Sequence, residues 1–394
     1  MSRVVAAIRE HADVVVVGAG VIGASVAWHL ASLGATNVVV VDRADAPAAG
    51  STGRATGGFR AQFGTEIDVR LSLLSREKLR RFVDEVGADP GYRPCGYLWV
   101  ALAERELEAL RAAQRVQRSA GLAEARMVGA AEIGEINPAV SLDGVLGGAF
   151  CPSDGFLRPA EMARAYLEGA RRRGVRVLLG EEVTALPRGR EGRIEKVRLA
   201  QREIACGAVV NAAGPWAGAL GRLAGVDVPV TALRRQVACT SPSSALPEEM
   251  PMTIWPGDGF HLRVRDGRIL LLRPSPPAAD PFDVQVEDAW IDEVSRIAAE
   301  RVPRLAGVEL DRARCWAGLY EMSPDGHAIL GHAPDCVNLI LANGSSGHGV
   351  MHAPALGALA AELIVHGEPR SLDARSLRPT RFVEGAAIAG PALL

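Results

Sequence analysis

Asp13-Val14-Val15-Val16-Val17-Gly18-Ala19-Gly20-Val21-Ile22-Gly23 opens the stretch that decides the fold, and the stretch closes at Val38-Val39-Val40-Val41-Asp42. Val14 to Val17 form an unbroken apolar run, as a parallel strand buried on both faces requires. Gly18-Ala19-Gly20-Val21-Ile22-Gly23 then matches Gly-x-Gly-x-x-Gly and opens an apolar helix that runs to about Ser32 and stops at Gly34. Gly18 permits the tight turn, Gly20 lets the backbone approach a pyrophosphate, and Gly23 lets the helix lie against the strand. The helix N-terminus offers unpaired N–H groups and a positive dipole end to that anion. Asp42 ends the second strand about twenty residues beyond the turn, where a carboxylate accepts ribose hydroxyls. An acid there argues against a 2′-phosphate, although Arg43 follows it. Strand, turn, helix and acid together point to dinucleotide binding, and the turn alone does not say which dinucleotide.

A length of 394 residues suggests two domains or one domain with a large insertion. With 48% hydrophobic residues and a formal net charge of -2, the composition is that of a globular protein and calls for neither nucleic acid nor an anionic membrane. Cys95, Cys151, Cys206, Cys239, Cys315 and Cys336 are scattered, with no C-x-x-C pair and no histidine at ligand spacing, so no metal site is expected and the thiols read as free, in a reducing compartment. Met1 to His11 lack the apolar core of a signal peptide, and no apolar segment of membrane-spanning length is expected. These features point to the cytoplasm.

Beyond Asp42, Gly50-Ser51-Thr52-Gly53-Arg54-Ala55-Thr56-Gly57-Gly58-Phe59-Arg60 is a glycine-dense loop, ordered by a ligand or else mobile. A helix is expected over 66–86, a change of domain over 87–96, a strand at 97–101 and an amphipathic helix over 104–118. Residues 147–155 are expected to return the chain to the nucleotide domain, before a helix opened by Pro159 and running through Arg173. Short strands follow at 175–179 and 182–184, and hairpin character at 194–199 and 203–205. Val209-Val210-Asn211-Ala212-Ala213-Gly214-Pro215-Trp216 then reads as a buried strand ending in a small-residue turn, either core or a second approach to the dinucleotide. From 228 to 315 strands alternate with proline-rich connections, and Asp266-Gly267 marks a hairpin between 260–264 and 269–272. A last strand at 339–342 leads through Asn343-Gly344-Ser345-Ser346-Gly347-His348-Gly349 to a helix over 353–365, and 385–394 is a loose tail.

The glycine-rich turn, Ser51-Thr52-Gly53-Arg54, the run Trp316-Ala317-Gly318-Leu319-Tyr320-Glu321-Met322-Ser323-Pro324-Asp325-Gly326 and Gly344-Ser345-Ser346-Gly347-His348-Gly349 together resemble the FAD-dependent amine and amino-acid oxidoreductases. This is the family of D-amino-acid oxidase, glycine oxidase and sarcosine oxidase, and the likeness is greatest to the beta subunits of heteromeric sarcosine oxidase and L-proline dehydrogenase. The resemblance spans nearly the whole chain. It implies an α/β fold of two domains. A Rossmann-like FAD-binding domain would come from 12–90, 147–227 and 316–384, and an antiparallel-sheet substrate domain from 91–146 and 228–315.

The resemblance also implies site residues. FAD would be held by Gly18, Ala19, Gly20, Val21, Ile22, Gly23, Asp42 and Arg43, by Ser51, Thr52, Arg54, Ala55, Thr56, Gly57 and Gly58, and by Val183, Ala213, Gly214, Trp216 and Gly318. The turn at Gly344, Ser346, Gly347, His348, Gly349, Val350 and Met351 would lie by the flavin, where helix N–H groups and dipole stabilise negative charge. The reaction implied is oxidation of a C–N bond by hydride transfer to flavin N5, followed by imine hydrolysis, with Arg60, His261, Tyr320 and His348 at the substrate. Arg60 aligns with an arginine that grips the substrate carboxylate in sarcosine oxidase; otherwise it forms a salt bridge or contacts the cofactor phosphates.

Departures from the family pattern narrow these implications. An oxygen-activating lysine falls on His261 and a carboxylate-binding lysine on Met351, which favours a dehydrogenase over an oxidase. His261 would orient substrate, accept the amine proton or simply pack. The cysteine that attaches FAD covalently falls on Gly318, so noncovalent FAD is implied, and the histidine that carries covalent FMN falls near Pro159. Tyr320 stands where glycine oxidase has an arginine, which disfavours glycine. An apolar Met351 suits a secondary amine such as proline, hydroxyproline or sarcosine. Two alternatives remain: a 2-hydroxy-acid dehydrogenase of the same fold, and a flavin-bearing subunit inactive without a second chain.

Overall fold

A computed structural model describes residues 8–389. Val14 to Val17 lie inside a longer first strand, Ile8–Val17, flanked in parallel by Arg202–Asn211 on one side and Val38–Asp42 on the other. The sheet they centre has seven strands. It runs from Ile329–Ala333 through Cys336–Asn343, Arg202–Asn211, Ile8–Val17 and Val38–Asp42 to Arg176–Leu179, with Lys196–Arg198 paired onto Arg202–Asn211. Its central strands are covered on both faces, so their valines are buried without alternation.

The nucleotide helix, Val21–Ser32, is apolar all round because it is buried all round, lying against Pro159–Arg172 and Gly349–His366. Small residues permit the approach: a Cβ on Gly357 would overlap Ser25, and one on Gly169 would come within 2.8 Å of the Trp28 ring. Gly34, at φ 91°, closes the helix by donating its N–H to the Ala31 carbonyl. By length and composition Gly349–His366 could cross a membrane, contrary to the expectation that no such segment exists; in the fold it is a core helix, buried from Met351 to Leu363.

The second sheet has eight strands, in the order Trp316–Met322, Thr231–Cys239, Arg268–Leu272, Phe260–Arg265, Met252–Trp255, Tyr97–Ala101, Gly147–Cys151 and Arg126–Val128. All its pairings are antiparallel except that of Met252–Trp255 with Tyr97–Ala101. Asp266 and Gly267 turn its central hairpin at φ 53° and 69°, the left-handed pair such a turn needs.

Several expectations are corrected. Gly147–Cys151 and Trp316–Met322, both assigned to the nucleotide domain, hydrogen-bond into the second sheet. The glycines at 147 and 148 serve tight strand packing: a Cβ on Gly148 would overlap the Trp99 carbonyl. The chain re-enters the nucleotide domain at Gly155–Phe156, which pairs with Gly58–Phe59. The glycine-dense loop contains a short helix, Ser51–Arg54. The helix expected over 66–86 breaks at Arg81 into Glu66–Arg80 and Phe82–Val86. Residues 182–184 are not a strand, although the Thr184 N–H bonds to the Arg198 carbonyl. The region read as strands alone carries a helix, Asp288–Arg301, whose buried Trp290, Ile291 and Val294 cover the far face of the second sheet. The last helix begins at Gly349 rather than Ala353. Met1 to Ala7 and residues 390–394 lie outside the described residues.

Candidate active site

A cavity of about 710 Å³ is lined from both sheets. Gly18, at φ 117°, turns the chain so tightly that a Cβ would overlap the Ala212 carbonyl, and a Cβ on Gly23 would overlap the Gly18 carbonyl. Gly20 faces the cavity, and Thr52 Oγ1 accepts the N–H of Val21 at 3.0 Å, tying the glycine-dense segment to the helix N-terminus. Asp42 lines the same end. Its two oxygens accept the N–H groups of Ala19 at 2.6 Å and Ala44 at 2.8 Å, so the carboxylate also shapes the turn.

Arg43, Val183, Ala213, Gly214 and Trp216 also line the cavity. The Arg43 guanidinium lies 4.3 Å from the centre of the Trp216 ring, and the Phe282 ring is stacked with it at 5.8 Å between centroids and 23°. Phe282 comes from the proline-rich connection of the second sheet, so the two domains meet there. Ser51, Arg54, Ala55 and Thr56 line the middle of the cavity. They are held to the roof by Arg54 Nη1, which donates to the Ala317 carbonyl at 2.7 Å, and by Trp316 Nε1, which donates to the Arg54 carbonyl at 2.8 Å. The hydroxyl oxygen of Ser51 is buried and has no hydrogen-bond partner among the described residues.

At the roof end Gly318, Leu319, Tyr320, Val237 and Leu272 line the cavity, opposite Gly347, Gly349 and Val350. The Tyr320 ring packs flat on Gly347, at φ 92°, where any side chain would overlap it. Burial pushes the Tyr320 phenol above its ordinary range, so it stays protonated.

Arg60 and His348 stand beside this end but not on the cavity wall. Arg60 is 4% exposed; its Nη1 donates to the Gln62 carbonyl at 3.0 Å and its Nη2 to His348 Nε2 at 3.2 Å, and it packs 4.2 Å from the Phe63 ring centre. Because a guanidinium only donates, His348 Nε2 accepts and the imidazole is neutral, in keeping with burial and Arg60 holding its pKa well below the ordinary value. Asp154, fully buried and pushed up to about 6 by burial, fixes this segment by accepting from the Ala61 N–H at 2.7 Å and from Gln62 Nε2 at 3.1 Å.

His261 is opposite cavity-lining Leu272 in the sheet register. Its Nδ1 donates to the Gly259 carbonyl at 2.8 Å, and burial lowers its pKa to about 4, so it is a neutral ring and a weak base near neutrality. Ala19, Gly23, Gly57, Gly58, Gly344, Ser346 and Met351 do not line the cavity: Met351 belongs to the nucleotide-domain core, and Ser346 Oγ accepts the Ser323 N–H at 3.1 Å.

Four further charged residues line the cavity that were not expected there: Glu181, Glu182, Arg235 and Glu321. Glu321 Oε1 accepts the Ser345 N–H at 3.2 Å, and burial raises its pKa to about 7, so it can hold or release a proton near neutrality. Its place in a strand whose other members are largely apolar was the one available signal.

A family model described as FAD dependent oxidoreductase, DAO, matches residues 13–363. The chain belongs to this family of FAD-dependent oxidoreductases. It is 30% identical over 424 residues to FAD-dependent oxidoreductase domain-containing protein 1 of Bos taurus, covering 95% of this chain and 86% of that one. Against the mitochondrial dimethylglycine dehydrogenase of Rattus norvegicus identity is 28%, over 95% of this chain but 45% of the longer relative. Among solved structures, L-proline dehydrogenase from P. horikoshii superposes with a TM-score of 0.89 at 28% identity, covering 97% of this chain and 100% of that one.

The residues present fit FAD. A glycine turn that only a close-lying group can fill, a helix N-terminus, an unpartnered buried Ser51 hydroxyl and a cavity running from Asp42 to the roof are what a dinucleotide with a flavin ring requires.

Proposed function

We propose that this protein oxidises the C–N bond of an amino acid, most suitably a secondary amine of the proline, hydroxyproline or sarcosine type. The observation that carries the reading is a single cavity joining the glycine-rich turn to a largely apolar pocket under the antiparallel roof. The family, and likeness to relatives named for proline and dimethylglycine oxidation, support it. Bound there, FAD supplies the two-electron acceptor for hydride from the carbon that bears nitrogen.

The chain's own residues bind, orient and move protons. Leu272, Leu319, Val237 and Val350 enclose the apolar part of a substrate and exclude water. The Tyr320 hydroxyl, protonated at neutral pH, is a hydrogen-bond donor at the roof. Arg60 adds positive charge behind the pocket and His348 holds its guanidinium, which favours an anionic substrate end there. Glu321 is the cavity-lining group whose proton affinity matches the loss of an amine proton near neutrality.

Anaerobic addition of proline, hydroxyproline, sarcosine and lactate, each in turn, to the flavin-loaded protein tests this. Bleaching by an amine is expected, with slow return of colour in air. Bleaching by lactate alone would replace the reading with hydroxy-acid oxidation. A flavin that none of them bleaches until a copurifying second chain is added would make this protein a dependent subunit.

A further inference from the structure

Arg234 and Arg235 are neighbours on the strand Thr231–Cys239 and face opposite sides of the roof. Arg234 is 3% exposed and is neutralised by Asp283, 3.3 Å from Nη1, and by Glu287. Arg235 points the other way, onto the cavity wall, opposite Gly318 in the register. Among the described residues it forms no ion pair. Its one hydrogen bond is a long one, from Nη1 to the Arg234 carbonyl at 3.4 Å, and its guanidinium lies 5.4 Å from the centre of the Tyr320 ring. On the same face of the strand the cavity is lined by Val237, and by Leu272 opposite it.

A half-buried cation in apolar surroundings is costly unless an anion joins it, and the described residues supply none. Burial already lowers the Arg235 pKa, with only the Tyr320 phenol opposing the shift. Its planar fork matches the two oxygens of a carboxylate, and a low-dielectric wall strengthens that pairing.

We propose that Arg235 is the residue that receives the carboxylate of the substrate, from the roof side of the cavity. This rests on the amino-acid reading above and deepens it: the substrate class is an α-carboxylate with an apolar body, and the specificity contact belongs to a strand that carries none of the recognisable motifs. A free amine without a carboxylate would leave Arg235 unpaired and bind weakly.

The test uses ligands that cannot be oxidised, so that it does not depend on turnover. Pyrrole-2-carboxylate and pyrrole-2-carboxamide are titrated into the flavin-loaded protein and followed by the perturbation of the flavin spectrum, in wild type, Arg235→Met and Arg235→Lys. Wild type should prefer the carboxylate. Arg235→Met should lose about 10- to 100-fold of the carboxylate affinity with the carboxamide unchanged, and Arg235→Lys should lie between. An unloaded spectrum identical to wild type shows that the variants fold and hold FAD.

Equal loss for both ligands would reduce Arg235 to a packing residue and overturn the proposal. So would an unchanged carboxylate affinity, or a wild type without preference between the two. Loss of FAD retention with ligand binding intact would assign the guanidinium to negative charge on the cofactor instead. Carboxylate binding lost in Arg235→Met, in a protein that no amine bleaches, would leave this proposal standing while the C–N reading fell.

Discussion

The glycine-rich turn and the underside of the roof border the same cavity and are specified in opposite ways. At the turn, backbone meets backbone: Gly18 lies on the Ala212 carbonyl and Gly23 on the Gly18 carbonyl, so no side chain other than hydrogen fits. Under the roof, side chains meet an open space, and Arg235, Leu272 and Tyr320 can vary in identity without disturbing the strands that carry them. The first region therefore admits no side chain, and the second is defined by the side chains it presents. Tyr320 is the point of contact between the two regimes, since its ring needs Gly347 beneath it.

The difference can be broken most severely at Gly23. Gly23→Ala drives a methyl into the Gly18 carbonyl and should destabilise the protein by at least about 3 kcal/mol, with loss of bound flavin. Thermal melts and the ratio of flavin to protein absorbance check this; a melt unchanged from wild type would mean the helix can slide away from the strand at little cost.

Glu321 offers a pH-resolved test of the roof. Its folded pKa, raised from 4.5 to about 7 by burial, means the folded state holds the proton more tightly than the unfolded state. Stability from this group is thus fully present below about pH 4.5 and is lost as pH rises through 7, by about 3 kcal/mol in all. Asp154, raised to about 6, contributes with the same sign. The difference between wild type and Glu321→Gln isolates Glu321. In denaturant titrations of the flavin-free protein from pH 5 to 8 the variant's curve should be flatter, and parallel curves would show that the carboxyl is solvated.

The smallest effect is expected where the domains touch at the nucleotide end. Phe282→Ala removes a stacking partner of Trp216 worth about 0.5–1.5 kcal/mol, so FAD should dissociate up to about 10-fold faster in a dilution experiment. An unchanged rate would mean that Arg43 alone positions Trp216.

Much of the nucleotide region was legible because its constraints are local. Periodicity, glycine spacing and an acid at a set distance are properties of consecutive residues, and Gly18, Gly20, Asp42, Thr52, Val183 and Trp216 all reach the cavity. Boundaries were less legible. Gly147–Cys151 was assigned to the nucleotide domain because nothing in its own residues marks which sheet it pairs with, and Asp288–Arg301 was hidden among proline-rich connections.

By itself the sequence determined that a parallel strand, a glycine turn and a buried helix would cradle a dinucleotide, since those constraints act between neighbours along the chain. Only the tertiary structure decided which charges face the cavity. Arg234 and Arg235 are indistinguishable as sequence, yet strand alternation sends one to two carboxylates and the other to an apolar wall. Arg60, singled out by alignment, lies behind that wall bonded to His348, while Glu321 and Arg235 stand on it. Burial and the presence or absence of a partner set the chemistry of a charge, and both are made by residues far apart in the chain.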